Sequence, residues 1–195
     1  MGENAMRTEA VITTRFGESK QPVSAVLAGP YGHPFHPILV TVPIGAWVCS
    51  LVFDIGSQFV DHPGFLNKGS EWLIAIGVLG ALVAATVGFL DFLTIPAGTS
   101  AYRTALVHLT LNLFITVAYV LNFLWRHGTY QRPEAVGGGQ LALSIVSLAT
   151  LGLSGYLGGK LAYRYGIRVA DEGVQEEGFR ARTPDSAAPH QPKST

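Results

Sequence analysis

HPILVTVPIGAWVCSLVFDIGSQFV, residues 36–60, holds a single charged side chain, Asp54, in 25 positions. A helix needs roughly 20 consecutive apolar residues to cross about 30 Å of hydrocarbon, and this run exceeds that length. It is too long for an ordinary strand. Lipid offers the backbone no hydrogen-bonding partner, so a helix that satisfies its own amides is the natural reading. Residues 71–95, 101–125 and 140–163 repeat the pattern, each keeping interior charge to one residue at most. The connections DHPGFLNKGS, PAGTS and RHGTYQRPEAVGGG all contain Pro or Gly, which mark helix ends.

Composition agrees with these four spans. Charged residues make up 13% of the 195, against about 25% in a soluble domain. Of the 26 charges, six lie in residues 1–35 and eleven in residues 160–195, leaving nine for the 124 residues between. The net charge is zero, which gives no electrostatic case for nucleic acid. Cys49 is the single cysteine, so an intrachain disulfide is excluded, and no CxxCH is present for covalent haem. The N-terminal residues have neither the apolar core of a signal peptide nor the Ser or Thr at position 6 of a myristoylation signal. HExxH, GxSxG and glycine-rich phosphate-binding patterns are absent too, and no enzyme class is specified.

The expected fold is all-α: a polytopic membrane four-helix bundle with disordered polar tails. Residues 1–31 form a polar N-terminal tail, and PVSAVLAGPYGHPF, residues 22–35 before the first span, is read either as a short interfacial helix or as a loop on the membrane surface. Residues 32–169 form the transmembrane domain, and residues 170–195 a disordered cytoplasmic tail. With an even number of spans both termini share one side. Lys20, Arg103, Lys160, Arg164 and Arg168 flank that side, against Lys68, Arg126 and Arg132 on the other, which predicts cytoplasmic termini in an inner membrane. Trp72, Tyr102, Trp125, Tyr130 and Tyr163 lie near span ends, at the depth aromatic rings favour.

Each span shows one small or polar face. The second lines up Gly77, Ala81, Ala84, Gly88 and Asp91, and the fourth holds Gly155 and Gly159 in a GxxxG spacing. Both are expected helix-packing strips, and they also make self-association a candidate property. In the third, Thr104, His108, Asn112 and Thr116 follow at i+4 and form a polar stripe. At 1.5 Å per residue, His33, His36, Asp91, His108, Lys160 and Tyr163 share one cytoplasmic layer, whereas Asp54 falls in the outer half near the level of Arg126.

Two imidazoles on different helices at one depth are what a b-type haem in a bundle requires, so His36 and His108 are candidate ligands. The alternative is structural: His108 bonded to Asp91, and His36 capping a helix end in the His-Pro turn. A divalent metal, with His33 as a further ligand, or a proton relay completes the range. Asp91 either pairs with Arg103 or Lys160 or orients His108 by accepting its other ring N–H. Asp54 either pairs with Arg126 or takes part in a proton path. Asn112 is expected to hydrogen-bond between helices.

GHPFHPILVTVPIGAWVCSLVFDIGS, GFLDFLTIP, HLTLNLF and GYLGGKLAYRYGIRV, in this order over residues 32–169, together resemble the DUF2231 family of bacterial four-helix membrane proteins. The resemblance implies an integral membrane protein without a settled biochemical role. Some members are fused or adjacent to a Rieske-type iron–sulfur domain, which implies a link to electron transfer. This chain has Tyr165 where relatives often carry His, and it contains no Rieske ligand set.

Three readings of function follow. The first is a redox-linked membrane subunit binding haem b and meeting an electron-transfer protein. The second is a non-catalytic structural or assembly subunit of a membrane complex. The third is a proton or ion pathway through Asp54, Asn112 and Asp91. The lipid bilayer is a partner in all three.

Overall fold

The computed structural model describes Met6, residues 16–128 and residues 134–179. Tyr130 and Arg132, invoked above for the interface and the orientation, lie outside these residues. Along the chain come α1 (Ala25–Ala28), α2 (His36–Leu39), α3 (Thr41–Gly56), α4 (Gly64–Phe92), α5 (Ser100–His127), α6 (Gly138–Gly159), a π-helical turn (Lys160–Arg164) and α7 (Glu172–Glu177). Among the described residues there is no strand.

Four stretches are long and apolar enough to cross a membrane: His36–Gly56, Gly64–Phe92, Ser100–His127 and Gly138–Arg164. The first is divided at Val40 because Pro43 has no N–H to give to the carbonyl of Leu39. It ends at Gly56, where Ser57 donates back to the Asp54 carbonyl at 2.6 Å, so residues 57–60 are not helical as expected. The second starts earlier than residue 71, directly after Pro63, and runs 29 residues, about 44 Å. Thr99 caps α5 by accepting the Tyr102 N–H at 3.0 Å, and Gln140 reaches back to the Gly137 N–H at the start of α6.

The helices pack in a ring: α3 against α4, α4 against α5, α5 against α6, and α6 back on α3. Its polarity is inverted relative to a soluble bundle. Leu79, Leu113, Phe114, Leu121 and Leu153 point outward, while Ser50, Ser70, Asn122, Ser144 and Ser147 are buried inside. A soluble protein would lose free energy by this arrangement, whereas hydrocarbon favours it. The mid-depth core is Trp47, Ile74, Ile115 and Tyr119. The Trp47 and Tyr119 rings stack at 4.2 Å with 11° between their planes, and the indole N–H reaches the Ile74 carbonyl at 3.4 Å. This close approach depends on Gly77, where any Cβ would overlap the indole.

The C-terminal stretch differs in part from its expected disorder. Asp171, held by Lys20 and Tyr31, accepts at its carbonyl from Val174 and Gln175 and starts α7. The rest of that tail, from residue 180, lies outside the described residues.

Candidate functional site

Two polar layers flank the aromatic core, and α5 contributes to both. His108 and Arg126 lie 18 residues apart on it, about 27 Å. His36 and Asp54 have the same spacing on the first span.

The first layer sits at the end of the bundle where α2 begins and α6 closes. His36 and His108 have ring centroids 6.5 Å apart with planes at 86°. His36 Nδ1 meets the Ala84 carbonyl at 2.9 Å, and His108 Nδ1 meets the Ser154 carbonyl at 2.8 Å. A carbonyl oxygen only accepts, so each Nδ1 carries the proton, and in the neutral ring each Nε2 keeps its lone pair. Glycines make room for both rings. A Cβ on Gly88 would stand 2.7 Å from His36 Cε1, and one on Gly158 3.1 Å from His108 Cε1. Asn112 lies beside His108, its Nδ2 at 3.2 Å from Nε2 and donating at 2.7 Å to Ser154 Oγ.

Asp91 does not reach His108 and pairs with neither Arg103 nor Lys160. The His108 N–H is already taken by Ser154, and Asp91 Oδ1 lies 2.8 Å from Arg168 Nε. Arg168 is buried in the left-handed region at φ 60°; its Nε faces Asp91 as an ion pair without hydrogen-bond geometry, and its terminal nitrogens donate to the carbonyls of Lys20, Ala28 and Gly29. It thus ties the N-terminal segment to the end of α4. His33 stands apart, exposed, with Nδ1 3.4 Å from the Tyr31 carbonyl.

The remaining stripe residues bond locally. Thr104 donates to Ser100 O and Thr116 to Asn112 O, each within its own helix. Of the expected packing residues, Gly77 and Gly88 seat Trp47 and His36, and Ala81 packs on the core. Gly155 seats nothing: a Cβ there meets no atom within 4 Å, and one on Gly159 meets only its own turn's Tyr163 at 3.9 Å. The face of α6 that receives a neighbour runs through Ser154 and Gly158 instead.

The second layer joins all four long helices. Asp54 from α3 receives both arms of Arg126 from α5, at 2.7 Å each. Ser70 of α4 donates to Asp54 Oδ1 at 2.6 Å, and Ser144 of α6 to Oδ2 at 3.3 Å. Arg126 Nε donates to Asn122 Oδ1, whose amide reaches Gln140 O and Ser144 Oγ. The ion pair is fully enclosed and satisfied on every side, the condition under which a buried pair survives desolvation. At the rim, the largely buried Glu71 meets His127 at 3.1 Å. The parts played by Ser70, Asn122 and Gln140 and the Glu71–His127 contact escaped the sequence reading, although Asn122 and Arg126 stand at i and i+4.

Among the described residues no group of three or more His, Cys, Asp or Glu could hold a metal ion. A donor set of two imidazoles nevertheless suits an ion that brings its other ligands with it. No curated protein and no solved structure matches the chain. The model of a family described as a predicted membrane protein, DUF2231, matches residues 32–171. With four membrane-length helices in one ring and that match over most of its length, the chain belongs to the DUF2231 family of membrane proteins.

Proposed function

We propose that this integral membrane protein is a redox-linked subunit in which His36 and His108 hold a b-type haem. The observation that carries the reading is the pairing of the two rings: centroids 6.5 Å apart, each Nδ1–H fixed by a carbonyl of another helix. With metal–imidazole bonds of about 2 Å, two imidazoles on one ion would have centroids at most about 6 Å apart, close to the separation here. A second partner fixing the Nδ1–H is the usual support of a ligating imidazole. A haem bound there supplies one-electron transfer. The chain's own residues orient the rings, through the Ala84 and Ser154 carbonyls, and half-bury them among apolar helices. The protein sits in a bacterial cytoplasmic membrane with both termini inside, on the distribution of Lys and Arg, and its redox partner meets that face.

Absorption spectra of the purified protein, expressed with ample haem, test this. The expected result is a Soret band that shifts on dithionite reduction and is lost in His36→Ala and in His108→Ala. No band, or a band that survives both substitutions, overturns the assignment.

One observation favours the assembly-subunit reading: Asn112 Nδ2 lies 3.2 Å from His108 Nε2, occupying the nitrogen a ligand would use. Under that reading the purified protein stays colourless, and His108→Ala changes stability alone. The pathway reading draws less support, since Asp54 and Asp91 each face an arginine.

A further inference from the structure

Among the described residues, three basic side chains at the imidazole end of the bundle have no acidic partner. The four ion pairs among the described residues engage Lys20, Arg126, His127 and Arg168, and none takes Arg103, Lys160 or Arg164. At that end Asp91 and Asp171 are occupied by Arg168 and Lys20, and no ion pair among the described residues joins Glu18, Glu172, Glu176 or Glu177 to the three.

The three are also gathered. Lys160 and Arg164 open and close the π-helical turn that ends the fourth span, and Arg103 lies in the first turn of α5, which touches that turn. Lys160 Nζ stands 5.5 Å from the centroid of the Tyr165 ring. The Thr104 side chain first, then Lys160 and Arg164, hold the Tyr165 hydroxyl below the usual phenol range, in keeping with that placement.

The level in the bilayer identifies the occupant. Tyr163, within the same turn, is 92% exposed, and Tyr156, two turns earlier, is 71% exposed. Exposed tyrosines on a span end lie among headgroups, where basic pockets between helices collect anionic lipids. We infer that Lys160 and Arg164, with Arg103 on the adjoining first turn of α5, bind the phosphate of an anionic phospholipid headgroup. The inference is independent of haem.

Native mass spectrometry of the purified full-length chain, equilibrated with equal amounts of phosphatidylglycerol and phosphatidylcholine, tests it. The wild type should retain phosphatidylglycerol in preference. Lys160→Gln/Arg164→Gln should lower that preference by about 30-fold, at roughly fivefold for each basic residue near the surface. Single Lys160→Gln should give the smaller step, and Lys160→Arg should keep the preference. Arg180→Gln/Arg182→Gln removes equal charge farther along the sequence and should leave it intact. Equal retention of the two lipids, an equal loss in this charge-matched control, or displacement of phosphatidylglycerol by millimolar glycerol 3-phosphate overturns the assignment. The last result would indicate a pocket for soluble phosphates. An unchanged near-ultraviolet circular dichroism spectrum, to which the stacked Trp47 and Tyr119 contribute, certifies that a variant is folded; if the double variant is not, the two single substitutions at Lys160 decide.

Discussion

Asp54 and Arg126 meet through both guanidinium arms at 2.7 Å, and the same carboxylate accepts from Ser70 and Ser144, so one ion pair fastens all four membrane helices. The pair is 0% and 1% exposed on its side chains. Its arginine is fixed along α5 by Asn122 and its carboxylate by serines on the two helices that α5 flanks. Together these contacts set the rotation of each helix about its own axis. A ring packed only by aliphatic side chains would leave that rotation weakly specified, because lipid tails are as apolar as the side chains.

Removing one member of this pair should cost more than removing both. Arg126→Ala leaves Asp54 buried without a counter-charge, a penalty of about 3–5 kcal/mol. Asp54→Leu/Arg126→Met should recover much of that loss, since an apolar pair of similar volume often matches a buried ion pair. Unfolding in mixed micelles with increasing dodecyl sulfate provides the measurement. A single variant as stable as the double would mean that water reaches the network.

Glycines on the two strips should respond in opposite directions. At Gly77 a methyl group overlaps the Trp47 indole, so Gly77→Ala should cost about 1–3 kcal/mol by overpacking and should break the Trp47–Tyr119 stack. At Gly155 nothing lies within 4 Å, so Gly155→Ala should stabilise by up to about 1 kcal/mol through helix propensity. Micelle unfolding combined with near-ultraviolet circular dichroism checks both. Strong destabilisation by Gly155→Ala would place a second chain on that face.

These cases show what the sequence makes legible. The four spans were readable because length and apolarity alone determine them. The shared depth of His36 and His108 followed from counting rise per residue, and so did the level of Asp54 with Arg126. Rotation was harder. Gly155 and Gly158 differ by three residues, or 60° around α6, and the GxxxG spacing gave no sign that the inward face passes through Ser154 and Gly158. Ser144, Ser147, Ser154 and Gly158 do trace that face once the buried serines are lined up. Asp91 faces Arg168, a cation outside the Arg103, Lys160 and His108 alternatives, because Arg168 lies beyond the π-helical turn, in a non-helical stretch whose path no periodicity encodes.

That partner yields a separable prediction. Arg168 stands at φ 60°, a conformation that costs an L residue about 1–2 kcal/mol and costs glycine little. Arg168→Gly and Arg168→Ala both lose the contacts with Asp91 and with the Ala28 and Gly29 carbonyls, but only alanine retains the backbone strain. Both should loosen residues 19–29 in hydrogen exchange, with alanine about 1 kcal/mol the less stable. Equal stability would show that the stretch relaxes once the guanidinium is gone.

Acid should open the same clasp from its other side. Lys20 Nζ lies 2.9 Å from Asp171 Oδ1, and the Tyr31 hydroxyl donates to Oδ2 at 2.7 Å. These two partners, Lys20 first, hold the Asp171 carboxyl below its ordinary 3.8. The sign follows directly: with the folded value depressed, the contact stabilises fully above 3.8 and is lost as pH falls through the lower, folded value. Protection of the Ala28 and Arg168 amides, which bond to Ser24 O and Ser19 O, should therefore hold from neutral pH to about 4 and decline below it. Asp171→Asn should flatten that decline and lower protection at neutral pH. Because the carboxylate is exposed, added salt should weaken the effect at every pH, which separates it from the salt-insensitive Asp54–Arg126 pair inside the ring.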